Sequence, residues 1–365
     1  MPNLGETKTS GGGISTAKLL LLGDTKAGKT HWAMQAAEAG FNVLYLDGDV
    51  AIQTLMDREH GLSQAALDRV TYLNIADHIK DGSYEPFMAK FFVDFTTQGV
   101  VTWNDTKGRL FDRRDYEQLR EGTVIDGESG EIISGDEIWQ LRPSRLGPDT
   151  VLILDSWTTL VTSLQWWKAN DLNIDLLEIE KLERDMYSGT SHKATQFLQL
   201  IRALRCHVIV IGHPREYQKK SVPDGSKGVI PEKEMKVDWT RMVPYSTSNP
   251  HALTMGKNFS DIGWIDVSKM GNRTIDFKVS SDRVIGGHFN ERKPVAELGF
   301  KDLVLKIGGT IPVNPSSEAW LTRFPNGTFT PAGSKPAVAL TGSGPATAQP
   351  IKATGLAGLM AAKKK

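Results

Sequence analysis

"LLLLGDTKAGKTHWA", residues 19–33, stops an apolar run at a glycine, crosses a short polar stretch and resumes with helical spacing. Leu19–Leu22 is too short for a helix of its own and suits a strand covered on both faces. After Lys29, the residues Ala33, Ala36 and Ala37 share one helical face, and Gly40 is placed to end that helix. The residues between, Gly23–Thr30, fill the pattern G-x-x-x-x-G-K-[ST] in the context that its mechanism demands, after a strand and before a helix. Gly23 and Gly28 let the backbone curl so that successive N–H groups face an anion, and the helix N-terminus adds its dipole. The apolar run ends because a phosphate calls for main chain there, not side chains. Gly23, Asp24, Thr25, Lys26, Ala27, Gly28, Lys29, Thr30 and His31 are therefore the candidate nucleotide-binding residues. Lys29 is expected to reach the β- and γ-phosphates and the Thr30 hydroxyl to ligate Mg²⁺.

A phosphate loop needs an acid on a neighbouring strand. "VLILDSW" supplies one: four apolar residues, then Asp155 at the carboxyl end of the strand, placed to hold Mg²⁺ together with Thr30. Hydrolysis also needs a carboxylate that orients or activates water. "NVLYLDGDV" ends another strand with Asp47 and Asp49; Asp49 is the preferred catalytic group and Asp47 the reserve, although both could simply shape a turn around Gly48. With "HVIVIG" (207–212), these runs predict a parallel sheet whose long connections carry helices. One helix, with Ser191 as its cap, presents Ala194, Phe197, Leu198, Ile201 and Leu204. "IGWIDV" and "RTIDFKV" predict a late antiparallel pair joined by "SKMGN".

The whole chain has 365 residues, with 39% hydrophobic and 24% charged, which is ordinary for a globular protein and ample for a core. Its 43 basic and 43 acidic residues cancel, so any polyanionic partner must be met by a local patch. The lone Cys206 excludes an internal disulfide framework and a Cys₄ zinc site, and is expected to be a buried small hydrophobe. No apolar stretch reaches bilayer-spanning length and the first residues do not resemble a leader, so a cytoplasmic location is expected.

The order of P-loop, strand ending in acid, strand ending "DS", helix and strand ending in a polar group resembles the core of the RecA-like recombinase ATPases. "LYLDGDVAI", "VLILDSWTTL" and "RDMYSGTSHKATQFLQLIRALRCHVIVIGHPRE" carry the resemblance, which covers roughly residues 15–290. The small phage ATPases that support single-strand annealing are nearest in length and wording. The resemblance implies an α/β, RecA-like P-loop NTPase core, a mostly parallel sheet flanked by helices. Composition and turn pattern set a flexible, glycine-rich arm at 1–15, an inserted hairpin element at 97–148 within an ATPase domain at 16–307, and a low-complexity, disordered tail at 308–365. The resemblance also implies ATP and Mg²⁺ as cofactors, single-stranded DNA, further copies of the chain and a single-strand-binding protein as partners, and recombination or repair as the setting, in the host cytoplasm if the chain is phage-encoded. Asp49 stands where the family has a catalytic glutamate, and His213 where it has a sensor of the γ-phosphate. The loop after the "DS" strand would bind DNA through Trp166, Trp167 and Lys168. A second, mobile loop would do so through Arg215, Tyr217, Lys219, Lys220, Lys227 and Arg241, with Trp239 among them. Lys278 and Arg283 resemble basic groups donated to a neighbouring subunit's site. Two other readings fit the same core: a ring helicase or DNA-translocating motor, and a nucleotide-switched regulatory or assembly protein that never touches DNA.

Overall fold

The structure, a computed structural model, describes residues 15–51, 61–80, 83–97, 101–104, 109–110, 138–172, 184–221, 235–313 and 321–324. They lie in one compact unit that runs to Phe329. The arm before residue 15, Lys227, and most of both the inserted element and the expected tail fall outside the described residues.

Ten strands position the site: β1 (Lys18–Gly23), β2 (Asn42–Asp47), β3 (Val70–Asn74), β4 (Thr150–Asp155), β5 (His207–Gly212), β6 (Pro214–Ser221), β7 (Lys236–Pro244), β8 (Asp261–Val267), β9 (Arg273–Asp276) and β10 (Arg292–Pro294). All but β6 and β7 form one sheet in the order β10-β9-β8-β1-β5-β4-β2-β3. The six strands from β8 to β3 run parallel, and β9 and β10 turn antiparallel at one edge. The expected hairpin forms between β8 and β9, with Gly271 at φ 81° in its turn.

The near-continuous apolar runs follow from a sheet covered on both sides, because successive side chains point to opposite faces. Leu20, Leu22, Leu44, Leu46, Leu152, Leu154, Val208 and Val210 face one layer, built by α2 (Phe87–Thr97), α3 (Trp157–Asp171) and α4 (Arg184–Ala203) through Phe92, Trp157, Phe197 and Ile201. Leu19, Leu21, Val43, Tyr45, Ile153 and Ile211 face the other. There α1 (Lys29–Glu38) brings Trp32 and its small Ala33 and Ala37 close to the sheet; of the helices after α4, α5 (Asn249–Thr254) lies apart and α6 (Phe300–Lys306) completes the layer. Cys206 is buried, as expected of a packed small hydrophobe, and burial pushes its thiol up to about 11. No helix among the described residues is long and apolar enough to cross a membrane.

Three expectations change. Helix α4 begins at Arg184, not at Ser191, whose carbonyl accepts from Thr195 Oγ1 inside the helix. The segment 215–241, expected as a mobile loop, folds at both ends into an antiparallel two-stranded ribbon of β6 and β7. Leu321–Phe324, within the expected tail, is a strand paired with Ile138–Leu141 of the expected insert, in a small sheet with Val101–Asn104 and Arg109–Leu110.

Candidate functional site

β1, β2, β4 and β5 all end at one edge of the sheet, with Asp47 opposite Asp155 and Leu22 opposite Gly212. The carboxyl edge of a parallel sheet is where ligands bind in such folds. Gly23 leaves β1 at φ 154° so close to β8 that a Cβ would stand 2.5 Å from the Ile265 carbonyl oxygen. Lys26 is left-handed at φ 64°, and Gly28, at φ 94°, caps α1. The curl is closed by Ala27 N–H donating to Asp24 O at 3.2 Å, and the helix begins its own bonding with Trp32 N–H to Gly28 O at 3.0 Å. The amides of Lys29, Thr30 and His31 therefore have no protein acceptor among the described residues.

Lys29 is buried, and its ammonium donates to the carbonyls of Gly23 and Asp24, each at 2.8 Å. Burial lowers its pKa, opposed by the charges of Asp155, Asp24 and Asp49. Thr30 Oγ1 donates to Asp155 Oδ2 at 2.5 Å, and Tyr45 OH donates to the same oxygen at 3.1 Å. Burial pushes the Asp155 carboxyl up to about 6, the hydrogen bonds from Thr30 and Tyr45 opposing and the charges of Asp49 and Asp47 adding. The first turn of α1 and the end of β4 thus meet at one point, as the loop pattern and the acid-ended strand require.

The two acids at the end of β2 and just beyond it have separate jobs. Asp47 is fully buried and accepts from the amides of Asp49 and Ala51 at 3.1 and 3.0 Å and from Tyr72 OH at 3.2 Å. Its carboxylate holds the turn. Asp49 is exposed beyond that turn, with Thr159 Oγ1 donating to its Oδ1. Thr159 belongs to the cap of α3, where Ser156 Oγ accepts from Thr159 N–H at 3.3 Å. Next to it, Thr158 Oγ1 accepts from His213 N–H at 3.0 Å. His213 is the single residue between β5 and β6, and its carbonyl accepts from Tyr245 N–H at 2.9 Å just past β7. Burial, then the Lys29 charge, lowers its imidazole, with Asp49 and Asp24 opposing, which favours the neutral ring. Tyr45, Ser156, Thr158 and Thr159 were not singled out as site residues from the sequence. The hydroxyl-rich "DSWTT" was the available signal for the last three, whereas nothing marks Tyr45 beyond its place in a strand.

The expected DNA contacts separate. Trp166, Trp167 and Lys168 lie in the last turns of α3, not in a loop. Trp166 packs on Tyr84 with ring centroids 4.3 Å apart, Trp167 lies against the core, and Lys168 pairs with Asp171. In the ribbon, residues directly opposite share a face. Arg215, Tyr217, Lys219, Trp239 and Arg241 fall on one face, and Glu216, Gln218, Thr240 and Met242 on the other. At its root, Arg215 donates to Asn249 Oδ1 at 2.8 Å and Arg241 to the Arg283 carbonyl at 3.0 Å. Farther out, Tyr217 and Trp239 meet edge to face at 5.4 Å beside the exposed Lys219. Arg283, expected to serve a neighbouring subunit, is engaged within its own chain: it pairs with Asp266 at 2.8 Å and lies 4.9 Å over the Trp264 ring. Lys278 is exposed.

No family model matches the chain, and no curated protein matches it. Among solved structures, the crystal structure of the RadB recombinase is similar to it at 15% identity with a TM-score of 0.30, over 73% of this chain and 82% of that one.

Proposed function

We propose that the chain is a RecA-like ATPase that binds Mg²⁺-ATP on the Gly23–Thr30 loop and acts, as an assembly of its own copies, on single-stranded DNA in recombination or annealing. The observation that carries the nucleotide reading is the 2.5 Å contact of Thr30 with Asp155 beside three free amides and a buried lysine. A carboxylate held out of water, with two hydroxyls as its hydrogen-bond partners and the Lys29 charge close by, offers a hard oxygen donor of the kind that suits Mg²⁺. The donor set, one carboxylate and one hydroxyl with the remaining positions left to phosphate and water, fits that ion. Bound there, Mg²⁺ would neutralise charge on the phosphates.

The protein's own groups divide the remaining work. The amides of residues 29–31 and the α1 dipole hold the phosphate chain, and Lys29 exchanges its two carbonyl partners for phosphate oxygens. Asp49, exposed and oriented by Thr159, aligns the attacking water, while neutral His213 reads the terminal phosphate. The DNA reading is supported by the basic, aromatic face of the ribbon, where bases stack on Tyr217 and Trp239 and Lys219 meets phosphate. That face takes the stacking role expected of Trp166 and Trp167. Lys278 is the candidate for a group offered to a neighbouring copy.

ATP hydrolysis measured with and without single-stranded DNA tests both parts. The expected outcome is turnover that rises with DNA and disappears in Lys29→Ala without loss of fold. Unchanged turnover in Lys29→Ala would refute the loop's role, and turnover indifferent to DNA would favour a protein-directed nucleotide switch.

A further inference from the structure

Several arginines crowd the β8–β9 hairpin, and their partners differ. Arg283 is bound to Asp266, and Arg292 reaches Asp266 at 3.4 Å and Asp276 at 3.9 Å. Arg273, the first residue of β9, opposite Val267, has no acidic partner among the described residues. Its side chain lies along the phosphate loop instead. A Cβ built on Gly28 would stand 3.3 Å from both Cδ and Nε of Arg273 and 3.8 Å from Cζ. Gly28 caps α1, so the guanidinium borders the same turn whose amides, at Lys29, Thr30 and His31, lack acceptors. An exposed guanidinium without a fixed counter-ion, set beside an anion cradle, has a partner only when the cradle is filled.

We infer that Arg273 is a phosphate-binding arginine that the chain supplies to its own loop. The inference rests on the nucleotide reading of that loop. A guanidinium presents planar, paired donors that match phosphate oxygens, and its weak hydration makes the exchange of water for phosphate less costly than for lysine. Gly28 is favoured there by its positive φ, and a methyl group in its place would press on the arginine at 3.3 Å.

The test is calorimetric titration of the full chain with Mg²⁺-ATP and Mg²⁺-ADP at two salt concentrations, comparing wild type, Arg273→Ala, Arg273→Lys and Lys29→Ala. Arg273→Ala should weaken ATP binding about tenfold or more and flatten its salt dependence, with the thermal midpoint of the ligand-free protein unchanged. Arg273→Lys should recover part of the loss. If wild type binds and Lys29→Ala does not, while Arg273→Ala binds as wild type does, the arginine's role is overturned and the loop reading stands. If wild type binds no nucleotide, the loop reading falls and takes the inference with it. Mixing Arg273→Ala with Lys29→Ala should restore no turnover; restored turnover would mean that the arginine serves a neighbouring copy, overturning its assignment to its own loop.

Discussion

Asp155 is held in conflict with its surroundings. Its carboxyl is raised from 3.8 to about 6, chiefly by burial. A raised acid favours the folded state most where it is protonated, so this contribution is complete below about pH 4 and is lost as pH rises through about 6. Above that, the ligand-free fold carries a buried charge at a cost of about 3 kcal/mol. Asp155→Asn should therefore leave the ligand-free protein more stable at pH 7–8 by a few degrees in thermal midpoint, while turnover is lost. Stabilisation by Mg²⁺-ATP should show the opposite trend in wild type, weakening as pH falls below about 6, because the metal needs the ionised carboxylate; thermal melts across pH with and without Mg²⁺-ATP read both. Asp47 and Asp49 separate by the same reasoning. Asp47→Ala strips two half-buried turn amides and the Tyr72 hydroxyl of their acceptor and should cost about 1–3 kcal/mol in denaturant unfolding. Asp49→Asn should spare stability and nucleotide affinity but cut turnover.

At the level of elements, the ribbon and α3 exchange the roles that their sequences advertise. "SLQWWKAND" looks like a stacking loop, yet its tryptophans complete the packing of a helix. Trp166→Ala should lower stability by about 1–3 kcal/mol and leave the salt dependence of single-strand binding unchanged. Lys219→Ala should instead flatten that dependence by about 0.7 in log–log slope, since each phosphate contact on a single strand releases about 0.7 of a counterion. The parallel strands were legible because burial on both faces leaves unbroken apolar runs such as Leu19–Leu22 and Val208–Ile211. The ribbon was not, because its alternation is one of charge and aromaticity, with Tyr217 and Lys219 against Glu216 and Gln218, which hydrophobic periodicity does not register. The start of α4 was missed because Ser191, a good cap in principle, satisfies its hydroxyl against Thr247 instead.

On the scale of the molecule, groups spread along the chain from Gly23 to Arg273 meet at one sheet edge, and what could be read in advance was the part with fixed spacing. Gly23, Gly28, Lys29 and Thr30 announce themselves within eight positions, and Asp155 by its place after four apolar residues. Tyr45, Thr159 and Arg273 arrive through strand order and helix capping, so no local pattern marks them. Nucleotide at a hundred times its dissociation constant should stabilise the whole domain by about 2.7 kcal/mol, and Lys29→Ala should abolish the shift. The placing of His213 has a mechanical corollary. Both roots of the ribbon converge on that one residue, one by covalent continuation from β5 and the other by the Tyr245 bond to its carbonyl. The eight residues of β6 reach about 26 Å from beside the phosphate loop, and the bonds of Met242 with Asp282 and Val284 brace their partner strand at its base. A tilt of only about three degrees at that base would carry the far end of β6 by more than an ångström.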